Sequence, residues 1–476
     1  MAVWSILNEI WKSKMEIPDT VFNLKEEQTV EGQSVVSTEA SASAVPITPV
    51  AGRERINSVD VIRGIAVLGI LLMNIASFAL PFRAYHDPSV AGGATGANLA
   101  VWAINYVLFE GKMRAIFSML FGAGMVIFIS RGERRGAGML VSDIYHRRLL
   151  WLLAFGMLHA YLIWDGDILY CYALTGLILY GFRPLAPKWL LLAGVLALAT
   201  MIPPDIAGAL HIRDLQKKAA AADLAAKSGQ KLTEEQLEAQ KKWAEKRDEL
   251  KPPQKVIDKE IAEHRGGYWK LLPSRARVAY LFETDLMFRF FGDVAGMMLI
   301  GMALFKLGFL SAERSYREYA LVALIGYAVG LPGTIVVTWQ KIASGFEPSR
   351  VMLLDTSYDV LRLAMVLGHV AVVMMVCKSG ALRWLTSRLA AAGQMAFTNY
   401  LTTSIICTLV FNGYGLGLFG KLDRAQIYYV VLGVWTLQLA WSKPWLRHFH
   451  FGPFEWAWRS LTYWKRQPMR IAGNAT

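Results

Sequence analysis

Apolar residues in this 476-residue chain collect into long runs, which charged, glycine-containing or proline-containing segments separate. A transmembrane helix needs about 20 consecutive, mostly apolar residues, and most of the runs approach that length. The ten runs lie at about 61–82, 113–130, 148–164, 168–183, 189–206, 286–307, 318–338, 355–377, 393–411 and 425–441. The pattern predicts an all-α fold, a polytopic integral membrane helical bundle of about ten transmembrane helices. A further apolar stretch at 98–109 predicts one re-entrant or interfacial helix.

The runs divide the chain into five parts, of which two are membrane halves and three are polar. The parts are a disordered cytoplasmic tail at 1–54, a first membrane half of about five spans at 55–206, a charged helical extracytoplasmic insert at 207–283, a second membrane half of about five spans at 284–442, and a basic, tryptophan-rich cytoplasmic tail at 443–476. Within the insert, Thr233-Glu234-Glu235-Gln236 has the pattern of a capping box. It predicts a helix to about Leu250, because Pro252-Pro253 follow.

Composition and charge agree with a membrane protein. The chain is 54% hydrophobic and 18% charged, whereas soluble chains average about 45–50% and about 25%. The net charge of +13 does not indicate nucleic-acid binding, because 22 basic residues fall in predicted cytoplasmic loops and the C-terminal tail. The short outer loops hold seven, among them Lys112 and Arg114. This bias predicts that both termini are cytoplasmic. The three cysteines lie in apolar runs without CxxC spacing, so we expect no disulfide framework and no metal site.

The first apolar run carries four polar residues of interest. Asp60 and Arg63 lie at i and i+3 near its cytoplasmic end, where they either form a helix-start ion pair or contact a charged ligand. Asn74 lies further along, and His86 follows just beyond the outer end. Histidine serves as a general base or nucleophile, and a nearby amide stabilises a developing oxyanion. The competing interpretation of His86 is a solvated loop histidine.

A second group lies at the turn between the third and fourth spans. His159 is near the outer end of the third span, Asp165 and Asp167 occupy the turn, and Asp167 opens the next helix. A histidine with two carboxylates is typical of an acid–base or metal site. Helix capping beside a buried, hydrogen-bonded histidine is the alternative. Because the topology places this group and His86 on the outer face, it favours a shared function.

Further charges lie within or beside the spans. The sixth run contains Arg289 and Asp293, and the eighth contains Asp359 and Arg362. Each pair has helical spacing and either neutralises itself or lines a polar pathway. At the cytoplasmic end of the third span, the adjacent Arg147 and Arg148 are part of a basic surface suited to the phosphates of an acyl-CoA.

Three blocks of the sequence, within about 55–470, resemble the YeiB family of bacterial membrane proteins, known as domain of unknown function 418. They are RINSVDVIRGIAVLGILLMNIASFALP; LLWLLAFGMLHAYLIWDGDILYCYALTGL, preceded by FEGKMRAIFSMLFGAG; and GQMAFTNYLTTSIICTLVFNGYGLGLFG, running to FGPFEWAWRSLTYWKRQPMR. The resemblance implies a multi-pass protein of the bacterial inner membrane.

The first block is also similar to the opening of the transmembrane acyltransferases that include heparan-alpha-glucosaminide N-acetyltransferase. In those proteins a similar S-V-D-x-x-R-G-I-A motif leads to an asparagine and then to a histidine important for acetyl transfer. Asn74 stands at the matching distance from Asp60 and Arg63. The resemblance implies the histidine's role for His86, which lies one residue further from Asn74 than in that family.

The leading hypothesis is an integral membrane acyltransferase that moves an acyl group from cytoplasmic acyl-CoA to an extracytoplasmic or lipid-linked glycan. His86 or His159 acts as base or transient acyl carrier, Asn74 stabilises the oxyanion, and Asp165 or Asp167 orients the histidine. We expect no tightly bound cofactor and no metal. The expected partners are membrane lipids, acyl-CoA, a glycan or other small molecule, and further copies of the chain.

Two alternatives stay open. The first alternative is a transporter or exporter of a small solute, with a pathway lined by Arg289, Asp293, Asp359 and Arg362. The second alternative is a non-catalytic membrane scaffold whose insert binds a partner.

Overall fold

The computed structural model describes residues 55–471, apart from the side chains of Leu286, Phe288 and Arg289. The tail predicted at 1–54 and the last five residues lie outside this range, as does the side chain of Arg289 among the predicted pathway residues. Between residues 55 and 471 the fold is all-α, without a β-strand, and an isolated bridge joins Phe449 and Arg470.

The structure contains the following α-helices in chain order. They are α1 (Asn57–Ala79), α2 (Gly96–Leu108), α3 (Lys112–Arg134), α4 (Met139–Leu162), α5 (Leu169–Leu179), α6 (Pro187–Ala199), α7 (Ile202–Lys227), α8 (Glu234–Leu250), α9 (Gln254–His264), α10 (Tyr268–Glu283), α11 (Asp285–Lys306), α12 (Tyr316–Ala343), α13 (Pro348–Asp355), α14 (Tyr358–Ser379), α15 (Arg383–Gln394), α16 (Ala396–Phe411), α17 (Arg424–His448) and α18 (Pro453–Tyr463). Two 3₁₀-helices, Phe82–Tyr85 and Tyr180–Phe182, follow α1 and α5.

The helices form a membrane bundle, as predicted. In the described range, five helical segments are long and apolar enough to cross a membrane: Asn57–Ala79, Gly96–Arg134, Pro187–Lys227, Tyr316–Ala343 and Tyr358–Ser379. The segments Leu169–Phe182 and Ala396–Phe411 are apolar but shorter. All ten predicted runs fall on helices, while the number of spans stays a prediction.

Two charges assigned to an outer loop belong instead to the first turn of α3. Lys112 is only 1% exposed, and its ammonium donates a 2.7 Å hydrogen bond to the Tyr106 carbonyl. The Arg114 guanidinium lies 2.9 Å from an Asp293 carboxylate oxygen. Partners of this kind offset the cost of removing a charge from water. Counting loop charges along the sequence does not reveal them.

Glycines allow the central helices to approach backbone to backbone. A Cβ at Gly64 of α1 would lie 2.0 Å from the Leu389 carbonyl oxygen of α15, and one at Gly393 would lie 2.0 Å from that of Asp60. A Cβ at Gly301 of α11 would likewise lie 2.0 Å from the Met119 carbonyl oxygen of α3. Small residues at such crossings are typical of membrane helices, because close packing replaces the hydrophobic effect.

The insert is helical and docks on the loops at one end of the bundle. The predicted capping box is present at Thr233, and α8 ends at Leu250 as predicted. The Gly413 N–H donates to the His264 carbonyl at 2.8 Å, and the Phe82 N–H donates to the Glu260 carboxylate at 2.7 Å. Helix α9 therefore lies against the loops that follow α1 and α16.

Candidate functional site

A cavity of about 250 Å³ lies among α1, α3, α4, α5, α16 and α18. At one end, Phe117, Leu169 and Tyr172 come from the starts of α3 and α5. At the other end, charged residues come from the segment just before α1 and its start, from the end of α3, from the first half of α4 and from α18. These are Arg55, Asp60, Arg63, Arg131, Arg148, Glu455 and Arg459. The cavity is therefore apolar and aromatic at its floor and mainly basic at its rim.

Two rim arginines pack on aromatic rings. The Arg148 guanidinium lies 4.1 Å from the centre of the Trp458 ring, whose Nε1 donates to the Arg148 carbonyl at 2.9 Å. The Arg459 guanidinium lies 4.6 Å from the Phe451 ring centre. Burial and the charge of Arg148 lower the pKa of Arg459 to about 10. The rim therefore holds positive charge that the protein compensates only in part.

The predicted ligand-binding residues separate into two groups. Asp60, Arg63 and Arg148 line the large cavity. Asp60 pairs with Arg63 at 2.8 Å, the ion pair that its i,i+3 spacing predicts, and with Arg55 at 3.5 Å. Arg147 is not among the lining residues, and its guanidinium lies 5.1 Å from the Trp464 ring centre.

The start of α16 is held by a buried carboxylate on α18. Glu455 accepts hydrogen bonds from the backbone N–H groups of Phe397 at 2.7 Å and Thr398 at 3.0 Å, and the Thr398 hydroxyl donates to its second oxygen. These bonds satisfy donors that a helix N-terminus leaves free, and the carboxylate faces the positive end of the helix dipole. Burial nevertheless raises the pKa of Glu455, because the loss of water penalises the charged carboxylate more than these hydrogen bonds stabilise it.

His159 and Asp167 form a buried pair between α4 and α5. The His159 Nδ1 lies 2.8 Å from an Asp167 carboxylate oxygen, and the two side chains are 1% and 2% exposed. The second Asp167 oxygen accepts the Tyr170 N–H at 2.8 Å and thereby caps the start of α5. The Nε2 of His159 is buried without a hydrogen-bond partner among the described residues. Capping and histidine orientation, which the sequence offered as alternatives, are thus properties of one carboxylate.

Tyr400 and Trp164 connect this pair to Asn74. A small cavity of about 10 Å³, room for roughly one water molecule, is lined by Asn74, Trp164 and Tyr400. The ring centres of Trp164 and Tyr400 lie 6.2 and 5.2 Å from that of His159. Tyr400 also lines the large cavity. The structure therefore brings Asn74, His159 and Asp167 into one region next to the cavity floor.

His86 lies elsewhere. It is exposed in the loop after the first 3₁₀-helix, and its ring is 4.8 Å from that of Tyr85, whose hydroxyl donates to Glu110 at 2.8 Å. Neither His86 nor the His159–Asp167 pair is among the residues that line the two cavities.

Asp165 faces charges of the insert. Burial raises the pKa of Asp165, while the charges of His264 and Arg275 lower it in part. The same turn is tied to the insert by Arg275, which donates to the Leu162 carbonyl at 3.0 Å. The two carboxylates of the predicted cluster therefore have different neighbours.

Three of the predicted pathway residues, Asp293, Asp359 and Arg362, form a charge cluster with a fourth residue that sequence spacing does not reveal. Asp293 of α11 pairs with Arg362 of α14 and, at 2.9 Å, with Arg114 of α3. Arg362 also donates to Asp359 at 2.7 Å, the i,i+3 pair predicted from the sequence. Two guanidinium groups and two carboxylates thus balance, and none of them lines either cavity.

Sequence spacing does not single out three further residues of the site. Tyr400, Glu455 and Trp458 stand in the third block of family resemblance, within MAFTNY and FGPFEWAW. Their occurrence in that block was the available signal, because nothing in their spacing shows that α16 and α18 meet α4. In the described residues, no group of three or more His, Cys, Asp or Glu side chains is arranged to hold a metal ion.

Comparison with known proteins identifies relatives along nearly the whole chain. The uncharacterized protein YxaH of Bacillus subtilis (strain 168) is 31% identical over 431 residues, which cover 89% of this chain and 98% of that protein. The uncharacterized protein YeiB of Escherichia coli (strain K12) is 31% identical over 434 residues, with the same coverage of each chain.

A family model supports the same relationship. Residues 304–465 match the protein family of unknown function DUF418. This range includes α18 and most of the second membrane half. No solved structure matches the chain. By its similarity to these relatives over most of its length, the chain belongs to the YeiB family of DUF418 proteins.

Proposed function

We propose that this protein is an acyltransferase of the bacterial inner membrane with both termini in the cytoplasm. It moves an acyl group from cytoplasmic acyl-CoA to a hydroxyl or amine of an extracytoplasmic or lipid-linked glycan. The observation that carries the proposal is the buried His159–Asp167 pair beside Tyr400, whose side chain lines the large cavity.

Asp167 selects the tautomer of the neutral histidine. Its carboxylate accepts the Nδ1–H, so a neutral His159 keeps its lone pair on Nε2. That nitrogen has no partner among the described residues. A general base needs such a free lone pair, and its contribution to rate is about 10²–10⁴-fold.

The reaction follows from this arrangement. The acceptor hydroxyl or amine attacks the thioester carbonyl carbon while Nε2 of His159 takes its proton. The carbon–sulfur bond breaks, the acceptor becomes an ester or amide, and the imidazolium returns the proton to the CoA thiolate. Asn74 lines the neighbouring small cavity, and its side-chain amide is the candidate donor to the oxyanion.

The charge cluster of Asp293, Arg362 and Arg114 supports the solute-transport alternative less well. A transport pathway needs charged groups that are free to bind a solute, whereas these charges are paired with each other. We therefore assign the cluster to helix packing.

Purified full-length protein in proteoliposomes distinguishes the two functions. The liposomes contain bacterial glycolipids as acceptors and receive acetyl-CoA labelled in the acetyl group. We expect the label on an acceptor, with one free thiol released per acyl group transferred. Proton-driven uptake of a solute, without label transfer or thiol release, would contradict the proposal and favour a transporter.

A further inference from the structure

The rim of the large cavity carries two arginines without an acidic partner. In the described range, neither Arg148 nor Arg459 forms an ion pair with a carboxylate. The nearest acidic side chain on α18, Glu455, is engaged with the start of α16. Arg55 and Arg63 share the single carboxylate of Asp60. The protein therefore concentrates positive charge at this rim.

The arginines are suited to an oxyanion with several oxygens. A guanidinium group stacked on an aromatic ring, as Arg148 is on Trp458, keeps its N–H groups available at the edge of its plane. Arginine binds phosphate through parallel N–H···O bonds. Burial and the charge of Arg148 lower the pKa of Arg459 to about 10, and a bound anion would relieve this repulsion.

The wall next to the rim is apolar and leaves open space. Phe121, Phe128 and Leu149 line the cavity between the arginines and the floor. Gly124 of α3 also lines it, and a Cβ at this position would meet nothing within 4 Å. Glycine lowers helix stability relative to alanine, so its presence in the middle of α3 is not explained by the helix itself.

We propose that the large cavity binds a phosphorylated amphiphile, with the phosphate at Arg148 and Arg459 and an apolar chain along Phe121 and Gly124. Two sources share this chemistry: an acyl-CoA with an acyl chain longer than acetyl, and a lipid phosphate. The assignment of this cavity as the site of the acyl donor rests on the proposed function. Binding is measured without turnover, so a failure of the binding site is distinguishable from a failure of the acyltransferase activity.

The test measures equilibrium binding to the full-length protein in nanodiscs of zwitterionic lipid. The probes are octyl phosphate, octanol, inorganic phosphate, acetyl-CoA and octanoyl-CoA. Octyl phosphate should bind at least tenfold more tightly than octanol or inorganic phosphate. Within a series of alkyl phosphates, affinity should rise about fourfold for each buried methylene. Equal binding of octanol and octyl phosphate would overturn the proposal.

The variants separate the phosphate site from the chain site. Arg459→Gln and Arg148→Gln should each weaken the binding of octyl phosphate at least tenfold. Gly124→Leu fills the open wall, so it should abolish the dependence on chain length while the melting temperature is kept. Arg466→Gln is the matched control, because Arg466 lies over Trp456 and does not line the cavity. Unchanged binding in both Arg459→Gln and Gly124→Leu would overturn the proposal.

The last comparison identifies the source. Tighter binding of octanoyl-CoA than of octyl phosphate supports a CoA thioester, whereas tighter binding of octyl phosphate supports a lipid phosphate. If acyl transfer is absent but octyl phosphate binds as described, the proposed function fails and the binding site stands.

Discussion

His159 and Asp167 meet through a 2.8 Å contact between Nδ1 and a carboxylate oxygen, in a position from which water is almost excluded. The same carboxylate caps the helix that follows it by accepting the Tyr170 N–H. Helix capping therefore fixes the carboxylate, and the carboxylate fixes the imidazole. Gly156 allows α4 to lie close to this turn, since a Cβ on it would lie 2.5 Å from the Tyr170 backbone nitrogen and 2.9 Å from the second Asp167 oxygen.

Asp167→Asn should abolish most transfer and leave the fold intact. The asparagine carbonyl still accepts the Tyr170 N–H, but its amide donates to Nδ1 and moves the histidine proton to Nε2, where the base is needed. We expect the rate of thiol release from acyl-CoA to fall about 10²–10⁴-fold, with an unchanged melting temperature. Asp143→Asn, an exposed position on α4, is the control. A variant Asp167→Asn with the full rate would contradict the assignment.

Glu455 should make stability depend on pH. Because burial raises the pKa of this carboxyl in the folded state, the folded protein binds its proton more readily than the unfolded chain does. Stability is therefore highest below the ordinary glutamate pKa and falls as pH rises through the raised value. Glu455→Gln keeps the contacts with Phe397 and Thr398 and should flatten this dependence in thermal melts. An identical pH profile in the wild type and Glu455→Gln would contradict the prediction.

Removal of the same side chain tests its structural role. Glu455→Ala leaves two N–H groups of α16 without an acceptor, which we expect to cost about 1–3 kcal/mol. Thermal or denaturant unfolding in micelles measures the change. A loss no larger than that of Glu455→Gln would show that the cap contributes nothing.

Asp293→Asn should destabilise the bundle more than Asp359→Asn. Asp293 neutralises both Arg114 and Arg362, and breaking a buried pair leaves an uncompensated charge that costs about 3–5 kcal/mol. Among the described side chains Asp359 pairs with Arg362, and Arg362 retains Asp293 when Asp359 is replaced. Melting temperatures of the two variants measure the difference. Equal stability of both, combined with lost solute flux, would contradict a structural role and favour transport.

Gly301→Ala should loosen the contact between α3 and α11. The new Cβ would lie 2.0 Å from the Met119 carbonyl oxygen, so one helix must shift. We expect a cost of about 1–3 kcal/mol, the usual cost of overpacking. Gly433→Ala on α17 is the matched control, because a Cβ there meets nothing within 4 Å. Equal melting temperatures for the two variants would contradict the packing described here.

The sequence predicts the class of fold because a membrane constrains it strongly. Apolar runs locate helices, and the capping box at Thr233 and the prolines after Leu250 locate the ends of α8. Local spacing likewise predicts the pairs Asp60–Arg63 and Asp359–Arg362, since three residues bring side chains to one helix face.

Contacts between distant helices are not predictable in this way. Asp293 pairs with Arg362 and Arg114 across three helices. Similarly, Tyr400 and Trp458 reach α4 only through the packing of α16 and α18. Hence the sequence could name His159 and Asp167 as a candidate pair, but it could not choose between His159 and His86. The large cavity has no signature in the order of residues.

The most direct test of the account is the rate of acyl transfer by His159→Ala in proteoliposomes. His159→Gln accompanies it as a variant that keeps the side-chain volume, and His211→Ala in the insert is the control at an exposed histidine. The account predicts that both His159 variants lose at least about 10²-fold in label transfer and thiol release, while His211→Ala and His86→Ala keep the wild-type rate. Full transfer by a folded His159→Ala or His159→Gln protein would contradict it.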